Sequence, residues 1–157
     1  MKNSLFLPFR RVVTLLALIL LAACSKKDET TPTPGISWTV DGSDIKVGAI
    51  ATPVSATIIQ LTGYRSVTTS TSTSNTATIS LIMPKSIGTY TLSNNKGAAS
   101  ASYGDSGTLY LDTTGTITVS SLTATSITGT FSFSGANPFS TPNSTKSITN
   151  GQFNVLL

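Results

Sequence analysis

From Ile36 onward, apolar and polar residues alternate with a period of two. Ala77, Ile79, Leu81 and Met83 interleave with Thr78, Ser80 and Ile82, and Ile127, Gly129, Phe131 and Phe133 interleave with Thr128, Thr130, Ser132 and Ser134. Successive side chains of a strand point to opposite faces, so each run predicts a strand with one buried and one wet face. The same reading predicts strands over 36–40, 45–51, 56–64, 88–92, 100–103, 108–111, 116–122 and 146–157. Turn signals separate them: Asp41-Gly42, Asn94-Asn95-Lys96-Gly97, Gly104-Asp105-Ser106-Gly107, Asp112-Thr113-Thr114-Gly115 and the stretch 135–142. No window carries a helical period. About ten short strands with tight turns predict an all-β fold, either an antiparallel β-sandwich or a meander partly closed into a barrel.

Near the end of the chain the alternation changes phase. Ile148 is even-numbered, Phe153, Val155 and Leu157 are odd, and Asn150-Gly151 lies between. A bulge at Gly151 absorbs the extra residue and is the preferred reading. The alternative, a type I′ hairpin on Asn150-Gly151, leaves too few residues beyond it for a useful strand pair. Strand parity then predicts a core containing Ile79, Leu81, Ile117, Val119, Phe131, Phe133 and Phe153, and gives Trp38 the parity of Ile36 and Val40.

Composition adds a leader and removes much chemistry. Residues 36–157 hold 45 Ser or Thr, which would suit a mucin-like chain, but also 35 large apolar residues in period-2 runs, which supply a core. Ahead of them, Lys2, Arg10 and Arg11 precede Val12 to Ala23, apolar except for Thr14, and Cys24 follows. This is a signal peptide's layout, and the run is shorter than the ~18 residues of a spanning helix. Leu21-Ala22-Ala23-Cys24 resembles the lipobox of bacterial lipoproteins. The resemblance implies cleavage between Ala23 and Cys24 and a lipid on the Cys24 thiol. The chain therefore divides into a signal peptide over 1–23, a lipidated tether over 24–35 and one all-β domain over 36–157, with the membrane as a partner through the lipid.

Ser25 and the segment Lys26-Lys27-Asp28-Glu29 resemble the export signal of surface lipoproteins in Bacteroidetes-type bacteria. That implies the outer membrane and an outward-facing domain, with the periplasmic face as the alternative. Loss of the leader also takes three of the ten basic residues, leaving seven Lys/Arg against six Asp/Glu. Lys46, Arg65, Lys85, Lys96 and Lys146 are scattered through the body, without the clustered stripe that tracks phosphates, so nucleic acid is not an expected partner.

The chain has no His, and Cys24 is its only Cys. Imidazole acid/base catalysis, His-ligated metals and disulfides are thereby excluded. The body's four carboxylates, Asp41, Asp44, Asp105 and Asp112, all read as turn residues bonding local N–H groups, and Asp41-Gly42-Ser43-Asp44 only faintly suggests a calcium loop. The expectation is therefore no enzyme, no catalytic residues, no metal and no cofactor. Aromatics remain as candidate ligand contacts: Phe139, expected to be exposed between Pro138 and Pro142, then Tyr64, Tyr103 and Tyr110, which also read as half-buried strand residues with wet hydroxyls. The 65–78 stretch is low in complexity and Ser/Thr-rich, and reads as a long hairpin loop or ragged edge strands.

Trp38-Thr39-Val40-Asp41-Gly42, Ile87-Gly88-Thr89-Tyr90-Thr91-Leu92, Ile127-Thr128-Gly129-Thr130-Phe131-Ser132-Phe133 and Ile148 to Val155 together resemble a family of small Bacteroidetes lipoprotein domains of unknown function. The resemblance implies the fold and location already read, and no activity. Two classes of function remain open. One is a surface module that binds a glycan or protein, or serves as an accessory subunit. The other is a calycin-like barrel holding a small apolar ligand or, more remotely, an Asp-dependent hydrolase.

Overall fold

The structure, a computed structural model, describes residues 33–157 except 66–67, 70–71, 74–76 and 95. The leader and most of the tether, with Cys24, lie outside the described residues. The body is all β, in one antiparallel sheet of ten strands nearly closed into a barrel.

Strands β1 (Gly35–Val40), β2 (Ser43–Val47), β3 (Ala49–Pro53) and β4 (Ile58–Arg65) come first. A small ribbon follows, β5 (Thr68–Thr69) with β6 (Ser72–Thr73), and then β7 (Ala77–Pro84), β8 (Gly88–Leu92) and β9 (Ser100–Asp105). Three long strands complete the sheet: β10 (Thr108–Leu122), β11 (Ser126–Ala136) and β12 (Thr145–Leu156). The spatial order is β2-β1-β12-β11-β10-β9-β7-β4-β3, and β8 lies end to end with β9 along β10. The sandwich alternative therefore gives way to the barrel.

Closure comes from the run read as one strand over 45–51. Ile45, Val47, Ala49 and Ala51 keep one inward phase straight through Gly48, but the pairing partner changes there. β2 pairs with β1, and β3 pairs with β4. The two edges of the sheet are thus consecutive pieces of chain, and edge backbone that would otherwise lie open is brought together.

All seven predicted core residues are buried, as are Ile36, Trp38 and Val40. The phase change in β12 is a bulge. Phe131 faces Gly151 and Phe133 faces Ile148, so the extra residue falls at Thr149-Asn150, with Asn150 at φ 52°. The predicted turn at Asp112 to Gly115 is corrected. β10 runs unbroken through it, with its register shift between Asp112 and Thr114 moving the inward phase from Tyr110 and Asp112 to Ile117 and Val119.

Candidate binding end of the barrel

Four connections meet at one end of the barrel, as the register requires. Val40 lies opposite Ile148, Arg65 opposite Ala77, Ala77 opposite Asp105, and Ala136 opposite Thr145. Two of the connections are two-residue turns with both residues at positive φ, Asp41-Gly42 (50° and 75°) and Ser106-Gly107 (49° and 86°), the geometry of type I′ hairpins. The others are the β4–β7 connection, with its β5–β6 ribbon, and the β11–β12 loop.

This end gathers charge. Lys146, at the start of β12, donates to the Asp41 carboxylate and stands 3.8 Å from Asp105 Oδ2. Arg65 joins Asp41, Asp105 and Tyr103 around a depression of about 230 Å³. The hydrogen bond to Asp41 holds the Lys146 ammonium above its ordinary pKa; burial opposes this, and the Asp41 and Asp105 charges reinforce it. Burial raises the Tyr103 phenol, helped by Asp105 and Asp41 and opposed by Lys146 and Arg65. Beneath the rim, Trp38 meets Tyr103 edge-on at 6.2 Å, and Tyr103 stacks on Tyr110 at the same separation. Among the described residues, Trp38 Nε1 is the one buried side-chain polar atom without a hydrogen-bond partner.

The β11–β12 loop is closed by its own hydrogen bonds. Phe139 N donates to Asn137 Oδ1 at 2.8 Å, Ser144 N to Ser140 Oγ at 2.8 Å, and Asn137 N to Ser144 O at 2.9 Å. The Thr141–Pro142 peptide is cis. This frame holds Phe139 in solvent, 86% exposed. Beside it, Pro138, Asn143, Asn94 and Thr113 help line a depression of about 260 Å³. On the outer wall near the same end, Tyr64 and Leu109 are exposed in one cross-strand row, Tyr64–Thr78–Gly104–Leu109.

Residues 50–156 match a domain of unknown function, DUF6252. The chain belongs to the DUF6252 family. No curated protein and no solved structure matches it. The DUF6252 match runs from within β3 to the end of β12, so Trp38 to Gly42, counted in the resemblance above, falls outside it. In this chain β1 nevertheless completes the DUF6252 sheet by pairing with β12.

The DUF6252 barrel separates the four candidate aromatics. Phe139 and Tyr64 (64% exposed) stand in solvent, whereas Tyr103 (2%) and Tyr110 (7%) are core residues whose ring faces cannot serve as outer contacts. Inward strand parity and mutual stacking account for the correction. The reading of all four carboxylates as turn residues is also corrected. Asp41 lies in a turn and Asp105 borders one, but Asp44 is a β2 residue accepting from Thr39 Oγ1 at 2.6 Å. Asp112 is buried and accepts from Ala101 N at 3.0 Å, binding β10 to β9 from inside. The grouping of Lys146 with Asp41 and Asp105 was missed, since the ion pair spans 105 positions.

Proposed function

We propose that this chain is a lipid-anchored, non-catalytic binding module, carried on the outer membrane by Cys24 and engaging a surface glycan or protein through the end of the barrel that carries Phe139. The observation that carries this reading is Phe139 itself, fully displayed on a loop built from its own hydrogen bonds. Exposing a phenyl ring has no folding benefit, whereas a rigid aromatic anchor loses little entropy on binding. The Asp41, Asp105, Lys146 and Arg65 rim at the same end supplies polar partners of both signs.

The rival reading, a barrel enclosing a small apolar ligand, requires a chamber. A chamber that admits even water would leave accessible surface on its walls, but Leu61, Ile79, Leu81, Met83, Ile117, Ile127 and Ile148 have none. The interior is filled by side chains instead.

The test is a glycan array and a surface-protein pull-down with the mature chain, repeated with Phe139→Ala. Truncating an anchor of this kind costs about 2 kcal/mol or more, roughly thirtyfold in affinity, with the melting temperature unchanged. Retention of full affinity by the variant would exclude this end. Anchoring is checked separately: Cys24→Ala is expected to leave the membrane fraction, and its continued sedimentation with membranes would overturn that part.

A further inference from the structure

The opposite end of the barrel has a different surface. Four exposed large apolar residues lie there, Val54, Ile87, Leu156 and Leu157, each 39 to 65% exposed. They come from the β3–β4 turn, the β7–β8 turn and the end of β12. These pieces are fixed by backbone hydrogen bonds, Val54 N to Ile58 O at 3.0 Å, Lys85 N to Thr57 O at 2.7 Å and Leu157 N to Thr125 O at 2.9 Å. Lys85 is the one charged side chain on the turns of this end, whereas Asp41, Arg65, Asp105 and Lys146 all stand at the other. Gly35, where β1 starts, lies opposite Asn154 near the end of β12, so the segment leading from Cys24 joins the barrel on this apolar side.

We propose that this end seats on the lipid bilayer that holds the chain, with Val54, Ile87, Leu156 and Leu157 at the boundary of headgroups and acyl chains and Lys85 against lipid phosphate. The inference rests on the anchoring reading above. The stretch from Cys24 to Gly35 spans at most about 40 Å fully extended, at roughly 3.3 to 3.6 Å per residue. A barrel so tethered meets the surface at an effective concentration in the millimolar range, where a modest apolar contact is occupied without strong intrinsic affinity. A scattered exposed Leu or Ile means little by itself. Here two separate turns and the end of β12 place such residues at the end of the barrel where the tether arrives, and the clustered charges stand at the far end. Seating this end also turns Phe139 away from the membrane.

The experiment uses the full lipidated chain in vesicles of phosphatidylethanolamine and phosphatidylglycerol containing nitroxide-labelled lipid. With the Cys24 thiol occupied by lipid, Ile87→Cys, Leu156→Cys and Phe139→Cys each offer one site for an environment-sensitive fluorophore. Emission from buried Trp38, the sole Trp, verifies the fold of each variant. Quenching with a blue shift at positions 87 and 156, and neither at 139, is expected. Adding Val54→Asp should abolish the quenching at position 87. Vesicle-bound protein with no quenching at 87 and 156, or with equal quenching at all three positions, would overturn the seating while leaving the anchor intact. Disulfide dimers through Leu156→Cys in place of lipid quenching would assign the surface to a second copy and also overturn it. Protein that does not sediment with vesicles at all would overturn both the anchor and the seating.

Discussion

Gly129 and Gly151 are sockets for each other's neighbours. Gly129 faces Phe153 across the β11–β12 pair, and Phe131 faces Gly151, so each ring lies over the other strand's glycine. A Cβ on Gly129 would stand 2.0 Å from Thr118 O and 2.4 Å from Phe153 Cζ, and one on Gly151 would stand 2.4 Å from Phe131 O and 2.6 Å from Phe131 Cγ. Gly151→Ala is therefore expected to cost about 1–3 kcal/mol through overpacking, and Phe131→Ala about 3–5 kcal/mol through a cavity. Combined, they should cost somewhat less than the sum, because the alanine at 151 loses its clash with the ring while keeping the one with the Phe131 carbonyl oxygen. Thermal melts of the two single variants and the double variant check this, and strict additivity would show that the backbone oxygen, and not the ring, is what the alanine at 151 meets. A pH dependence also belongs at this scale. Lys146 and Tyr103 both hold their protons more tightly in the folded chain than in the unfolded one. The stability they contribute is complete below about pH 10 and is lost as pH rises through their raised values. Melting temperature should fall above about pH 10, and Lys146→Met should flatten that fall. An unchanged slope in the variant would remove Lys146 from the account.

Among the elements, those with clean alternation were legible, and of those that change phase or partner only β12 was. β7 and β11 follow their inward and outward parity from end to end. The β12 bulge was visible as a parity break because apolar residues flank it on both sides. The β10 shift was hidden, since Asp112-Thr113-Thr114-Gly115 has a turn's composition and only pairing with β9 and β11 holds it extended. The partner change at Gly48 left no sequence mark, because strand phase is the same whichever neighbour supplies the hydrogen bonds. Asn150 gives the bulge a test. At φ 52° an amide side chain is tolerated and a β-branched one is not, so Asn150→Val should cost about 1–2 kcal/mol. Asn150→Gly should stay near the parent stability, since glycine takes this conformation without a Cβ clash. Equal melting temperatures for the Val and Gly variants would show that backbone conformation does not govern the site.

For the whole molecule, the order of strands decides what the chain displays. Phe139 was legible in the sequence because prolines bracket it in a polar loop, but Tyr103 and Tyr110 look no different from Tyr64 until the barrel assigns their faces. The charged rim depends in the same way on the ends of β1 and β9 meeting the start of β12. That shared dependence implies a strongly cooperative barrel. β1 lies between β2 and β12, so the first and last strands of the sheet are direct neighbours, and closure waits for both. Such non-local pairing makes folding comparatively slow, on the order of milliseconds to seconds, and ties every core residue to β12. A chain ending at Gln152 loses Phe153 and Val155 from the core, together with the partners of Gly35 and Ile36. It should show no cooperative melt, and its Trp38 emission should shift to that of a solvated indole. A chain beginning at Thr33, with every barrel strand intact, should melt with the mature protein. If the shortened chain melted cooperatively with Trp38 still buried, the β1–β12 seam would not be what holds the barrel closed.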